Sequence, residues 1–223
     1  MTEQEGKQEN VARQTALVVG AIADPEMLQK KINGCDIIEL RLDSLGIGPD
    51  VLAFAKEAPL PLLVTARGPI EGGQNDWTPA DRTEAYLKLL PYSRYIDIEL
   101  RDFDALADTI TAAKASGVTV IGSFHDFTKT PQLSELTSKF DPRADLLKFA
   151  LMVNDAADIQ THLSLIDNLA KRPFSLMGMG PLGAAARPLM AKAGSLLNYG
   201  YLGETPTAPN QWPVSLLKQT LIL

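Results

Sequence analysis

Eight apolar, strand-like runs alternate with eight helix-like segments between Leu17 and Ile222, and no low-complexity linker interrupts them. The runs cover residues 17–23, 36–43, 60–67, 95–100, 118–123, 146–152, 173–179 and 196–202. The segments that follow carry helical start and stop chemistry. Asp24-Pro25 and Thr78-Pro79 read as a capping residue with proline in the first turn, and Asn33-Gly34 reads as a stop after a helix over 26–32. Further helices are expected over 49–58, 78–90, 103–116, from about 131, and over 156–170, 183–192 and 213–222. Such alternation predicts a parallel sheet, either open and doubly wound or closed into a barrel. The first strand-to-helix turn lacks a Gly-x-Gly-x-x-Gly fingerprint, and eight units in 223 residues suit a single (β/α)₈ barrel.

Composition narrows what such a barrel does. A hydrophobic fraction of 45% supplies a full core, and a net charge of −6 argues against a nucleic-acid partner. No apolar run reaches membrane-spanning length, so no membrane partner is expected. Cys35 is the single cysteine, which excludes an internal disulfide, fits a reducing cytoplasm and reads as inert packing. One cysteine and two histidines make a poor metal set, and neither metal nor cofactor is expected. Residues 1–14 are polar and charged and read as a flexible terminus ahead of a barrel domain over 15–223.

In a barrel of this kind chemistry gathers at the C-terminal ends of the strands, and the charged residues of this chain fall there. The sixth run, Asp145 to Met152, places Lys148 in the middle of apolar residues. A strand lysine often snorkels to solvent. A buried one is a candidate amine nucleophile, because desolvation disfavours its charge. The second run carries Glu39 and Arg41 two residues apart, hence on one face, and the third ends at Arg67 with Glu71 in its loop. Asp97 and Glu99 share a face of the fourth, Ser123-Phe124-His125-Asp126-Phe127 ends the fifth, and Arg187 follows the seventh. Any one Arg–Glu pair could be structural, but charges on successive strands suggest a mouth for a small, anionic, hydroxylated substrate. His125 is placed to move protons, and Glu71 to orient it. His162 sits inside a helix and is assigned no role.

Taken together these segments resemble the type I 3-dehydroquinate dehydratases of the shikimate pathway. The resemblance rests on Glu39-Leu-Arg41-Leu-Asp43, Arg67 with Glu71-Gly-Gly, Asp97-Ile-Glu99, Ser123-Phe-His125-Asp-Phe127, Lys148-Phe-Ala150, Met177-Gly-Met179 with Arg187, and Thr207-Ala-Pro-Asn-Gln211. It implies a (β/α)₈ barrel that dehydrates 3-dehydroquinate to 3-dehydroshikimate, the third step toward chorismate and the aromatic amino acids. The substrate is a small molecule and the expected assembly a homodimer. Lys148 would form a Schiff base with the C3 ketone. His125 would act as general base and then acid in a syn elimination, and Glu71 would orient it. Arg187 would hold the substrate carboxylate, while Glu39, Arg41 and Arg67 would meet hydroxyls and neighbouring charge. Thr207 and Gln211 would belong to a closing loop over 203–211. Two departures stand out: threonine at 207 where the family often has serine, and a short front without the hairpin that closes the barrel bottom in longer members. The rival readings are a class I aldolase-like lyase and a non-catalytic metabolite-binding barrel. Arg187 and the Ser-Phe-His-Asp-Phe stretch favour the dehydratase over the first, and Lys148, His125 and Glu71 together over the second.

Overall fold

The computed structural model describes residues 15–169, 171–208 and 210–222. The polar segment 1–14, expected to be a flexible terminus, lies outside the described residues, as do Ala170, Pro209 and Leu223. The strands are β1 (Leu17–Ile22), β2 (Ile37–Arg41), β3 (Leu62–Thr65), β4 (Ser93–Glu99), β5 (Thr119–Asp126), β6 (Leu146–Met152), β7 (Phe174–Met179) and β8 (Leu197–Tyr201). The helices are α1 (Leu42–Leu45), α2 (Pro49–Glu57), α3 (Pro79–Leu89), α4 (Ala107–Ala115), α5 (Leu133–Thr137), α6 (Ala156–Leu169), α7 (Gly183–Lys192) and α8 (Val214–Ile222).

All eight strands are parallel and form one sheet in the order β7-β6-β5-β4-β3-β2-β1-β8. The remaining seam between β7 and β8 is crossed by Leu196 N donating to Phe174 O at 2.8 Å and by the Ser175 hydroxyl donating to Leu197 O. The sheet is therefore a nearly closed barrel, the alternative that eight units in this length favour.

Two apolar layers follow from the period of two along each strand. Outward residues such as Ile38, Leu40, Val64, Ile98, Leu147 and Phe149 pack against helix residues including Tyr86, Leu89, Leu165, Leu169 and Met190. Each such side chain contributes roughly 1.5–3 kcal/mol on full burial. Inward residues at the barrel floor, among them Val19, Ile37, Leu63, Ile121, Leu146 and Leu197, form a second cluster. Above that floor the inward positions turn polar: Glu39, Thr65, Asp97, Ser123 and Lys148 are all buried.

Several local expectations are corrected. The helix anticipated over 26–32 is a single 3₁₀ turn, Pro25–Gln29, capped by Asp24 accepting from Glu26 N at 2.9 Å. Only Met27 and Leu28 are buried there, too little apolar surface to hold a longer helix. The second strand stops at Arg41, and Leu42–Leu45 folds back as α1. The fifth strand runs on to Asp126, which makes His125 a strand residue paired with Ala150.

α3 ties the helix layer to the polar centre. Thr78 and Asp81 form a reciprocal capping box at its start. The buried Tyr86 hydroxyl donates to Asp97 O at 2.5 Å and accepts from Ala66 N at 3.1 Å. Arg82 pairs with Glu99 and, at 2.6 Å, with Asp102. No helix of the described residues is long and apolar enough to cross a membrane.

Candidate active site

At the C-terminal end of the barrel lies a cavity of about 640 Å³ including its open mouth. Every residue given a role from the sequence lines it: Glu39 and Arg41 from β2, Arg67 and Glu71 after β3, His125 from β5 and Lys148 from β6. Arg187 enters from α7, and Thr207 and Gln211 from the loop after β8.

Lys148 is 4% exposed, and its Nζ donates to Asp97 Oδ2 at 2.8 Å. Asp97 Oδ1 accepts from Arg67 Nη2 at 2.7 Å and from Ser123 Oγ at 2.5 Å. Burial alone would raise the Asp97 carboxyl. The Arg67 and Lys148 charges overcome it and hold the group well below the usual carboxylate range. A sequence reading built on desolvation alone misses this carboxylate.

Glu71 is placed over β5 by a loop that requires glycine. Gly72 has φ +88°, and a Cβ on Gly73 would fall 2.0 Å from Arg67 O. Glu71 Oε2 accepts from His125 N at 3.0 Å and lies 2.8 Å from His125 Nδ1. With Glu71 ionised, that pairing makes Nδ1 the protonated nitrogen and leaves Nε2 as the acceptor. Burial, with the positive charges of Arg67 and Lys148, keeps the imidazole pKa well below its ordinary value, so the ring is neutral at neutral pH. Burial also raises Glu71 to about 7, against the opposing pull of Arg67.

The arginines differ in availability. Arg41 makes a bidentate pair with Asp43 at 2.8 and 2.7 Å. Arg67 is occupied by Asp97 and Ser123 and has Glu71 and Glu99 within 3.8 and 3.7 Å. Arg187, 4% exposed, donates from Nη1 to Tyr199 O at 3.0 Å, and its Nε has no partner among the described residues. It is the one cavity-lining cation without an acidic partner among those residues, and burial pushes it down to about 10. A buried guanidinium in this state is a receptor for an anion.

Glu39 accepts from Thr65 Oγ1 at 2.7 Å. Gln211 Oε1 accepts from Thr207 N and Oγ1 at 2.9 and 2.8 Å, joining the two polar residues of the last loop. That loop is closed by Tyr201 N donating to Trp212 O at 3.0 Å, and Asn210, with φ 53°, donates to Gly180 O at 2.7 Å. Its outer residues, Gly203 to Pro206, are exposed.

Sequence reasoning assigned no role to Asp97, Glu99, Asp43 or Tyr199, although Asp97 carries the same signal as Lys148, a charge inside an apolar strand. Among the described residues no group of three or more His, Cys, Asp or Glu side chains is placed to hold a metal ion. The arrangement offers a buried amine, a neutral imidazole paired with a carboxylate and an arginine without an acidic partner among the described residues.

The chain matches the family model described as type I 3-dehydroquinase over residues 21–223. A 3-dehydroquinate dehydratase of Methanocella arvoryzae is 36% identical, the match covering 84% of this chain and 87% of the relative. Among solved structures, the type I 3-dehydroquinate dehydratase of Clostridium difficile, determined with covalently modified comenic acid, superimposes with a TM-score of 0.81. It is 27% identical, and the match covers 94% of this chain and 92% of the other. The Enterococcus faecalis 3-dehydroquinate dehydratase gives a TM-score of 0.77 at 28% identity, with 94% of each chain covered.

Proposed function

The chain belongs to the type I 3-dehydroquinase family, and on that premise we propose that Lys148, His125 and Glu71 are its catalytic residues. The reaction is dehydration of 3-dehydroquinate to 3-dehydroshikimate through a lysine Schiff base, on the route to the aromatic amino acids.

In this reading the Lys148 ammonium gives up one proton, its amine adds to the C3 ketone, and that proton leaves with the C3 oxygen in one water, giving an iminium. His125 Nε2 removes the C2 proton, and the electron pair moves toward the iminium nitrogen to give an enamine. The pair then returns to expel the C1 hydroxyl, which departs as water with the proton His125 carries. Hydrolysis of the conjugated iminium frees the product and Lys148. Glu71 holds the Nδ1 proton throughout, so that the same nitrogen serves as base and then as acid. Arg187 receives the substrate carboxylate. Glu39, Arg41 and Arg67 meet the ring hydroxyls and neighbouring charge. Thr207 and Gln211 sit on the loop that covers the ligand.

The observation that carries the proposal is the convergence on one cavity of Lys148, the Glu71-bound His125 and Arg187, which has no acidic partner among the described residues. A non-catalytic binder has no use for a fixed-tautomer imidazole beside a buried amine. Growth of enone absorbance on adding 3-dehydroquinate tests it: wild type turns over with or without chelator, and Lys148→Ala does not. Turnover by Lys148→Ala would refute the assignment. Cytoplasmic placement and a homodimer belong to the same reading. The first is supported by a lone half-buried cysteine, Cys35. The second is implied by the family resemblance, and sedimentation of the purified protein tests it.

A further inference from the structure

The mechanism above gives no role to an aromatic neighbour of Lys148. Nζ lies over the Tyr199 ring, 4.0 Å from its centroid. The ring is fixed from several directions: β8 registers Tyr199 against Val19, its carbonyl accepts from Arg187, and the residue is 4% exposed. Its hydroxyl is buried without a partner among the described residues, so no hydrogen bond of that group explains the placement. What the site is given is the aromatic face. Such a face attracts a cation, more strongly where water is excluded.

We infer that Tyr199 is a further catalytic residue, its ring face stabilising the positive charge that Lys148 Nζ carries in the substrate adduct. The inference rests on Lys148 being the imine-forming lysine. Ammonium and ketone together yield the protonated imine and one water, so a unit charge remains at nitrogen across the condensation. Loss of the remaining N–H proton would leave a neutral imine, a poor electron sink. The ammonium has three N–H donors and the iminium one, so condensation removes most of the hydrogen bonds by which Asp97 or any acceptor can hold the charge. A π face needs no N–H, and its attraction survives that loss.

A series at position 199 tests this: Tyr199→Phe, Tyr199→Leu, and replacement by mono-, di- and trifluorophenylalanine through nonsense suppression in the full-length protein. Fluorine drains the π face with little change in shape. The readouts are kcat and the fraction of Lys148 captured as a reduced adduct when 3-dehydroquinate and borohydride are added together. Tyr199→Phe recovers most of what Tyr199→Leu loses, and both readouts fall stepwise with fluorine number, by about 2–30-fold across the series. If Tyr199→Leu does not fold, the fluorinated series alone decides. Readouts independent of fluorine number overturn the role of the ring while leaving Lys148 as the imine lysine. Absence of any Lys148 adduct in the unsubstituted enzyme overturns the underlying assignment as well.

Discussion

Lys148 Nζ and Asp97 Oδ2 meet at 2.8 Å although they are fifty-one residues apart and β5 lies between their strands. The contact exists because the barrel closes and both side chains point inward at the same height. Asp97 is the hub of this layer, since Arg67 and Ser123 bind its other oxygen.

Asp97→Asn strips a carboxylate from two buried cations. Breaking one partner of a buried pair costs about 3–5 kcal/mol, and the urea midpoint falls accordingly. The variant also responds differently to acid. The folded-state pKa of Asp97 lies below its ordinary value of 3.8. Its contribution to stability is therefore complete above that value and lost as pH falls below it, because the unfolded chain takes up the proton first. The asparagine variant lacks this component, so its stability falls less steeply than wild type below about pH 4. Parallel acid curves for the two proteins would contradict this.

Glu71 sets a second pH dependence. Burial raises it to about 7, and only its ionised form holds the Nδ1 proton that leaves Nε2 basic. The acid limb of kcat/KM therefore turns near pH 7, with activity present above that pH and declining below it. Glu71→Gln removes this limb and lowers turnover. An unchanged limb in that variant would assign it to another group.

His125→Ala loses roughly 10²–10⁴-fold in turnover, the span typical of positioned proton transfer, yet Lys148 still forms a reducible adduct slowly. His162 is the internal control: it is fully buried, and its Nδ1 pairs with Asp158 O within α6 at 2.8 Å. His162→Ala lowers thermal stability and keeps kcat near wild type. Similar kcat losses in both variants would make His125 structural.

The barrel was legible because its signals are local. Period-two apolar runs and punctuation such as Asp24-Pro25 and Thr78-Pro79 mark the elements without any tertiary knowledge. The misjudged pieces are short ones, the 3₁₀ turn at Pro25–Gln29 and α1, where a few buried residues rather than propensity set the length. In the site, Lys148, His125 and Glu71 were legible as charged or titratable residues within strands or just after them. That Arg67 is spent on Asp97 while Arg187 has no acidic partner among the described residues was not legible. It depends on which side chains meet across the barrel, and strand stagger decides that. Tyr199 escaped notice because an aromatic residue in a strand reads as core until Nζ is found above it.

Arg187→Ala tests the anion receptor. A hydrogen bond to a charged group contributes about 1.5–3 kcal/mol, which corresponds to a rise in KM of roughly 10–150-fold, with adduct chemistry retained at saturating substrate. A loss confined to kcat would remove Arg187 from carboxylate binding.

For the last loop, Gln211→Ala frees the Thr207 amide and hydroxyl from their shared acceptor. KM rises while the imine still forms. In wild type the amides of the exposed segment Gly203–Pro206 exchange quickly when free and slowly once ligand is trapped on Lys148. Equal exchange in both states would make the segment a plain connector.

The central claim is that Lys148 is the nucleophile, and peptide mapping after borohydride reduction in the presence of 3-dehydroquinate measures it directly. The account predicts one stable secondary amine per chain, located on Lys148 and lost in Lys148→Ala. A reduced adduct on any other lysine, or none while turnover continues, would contradict it.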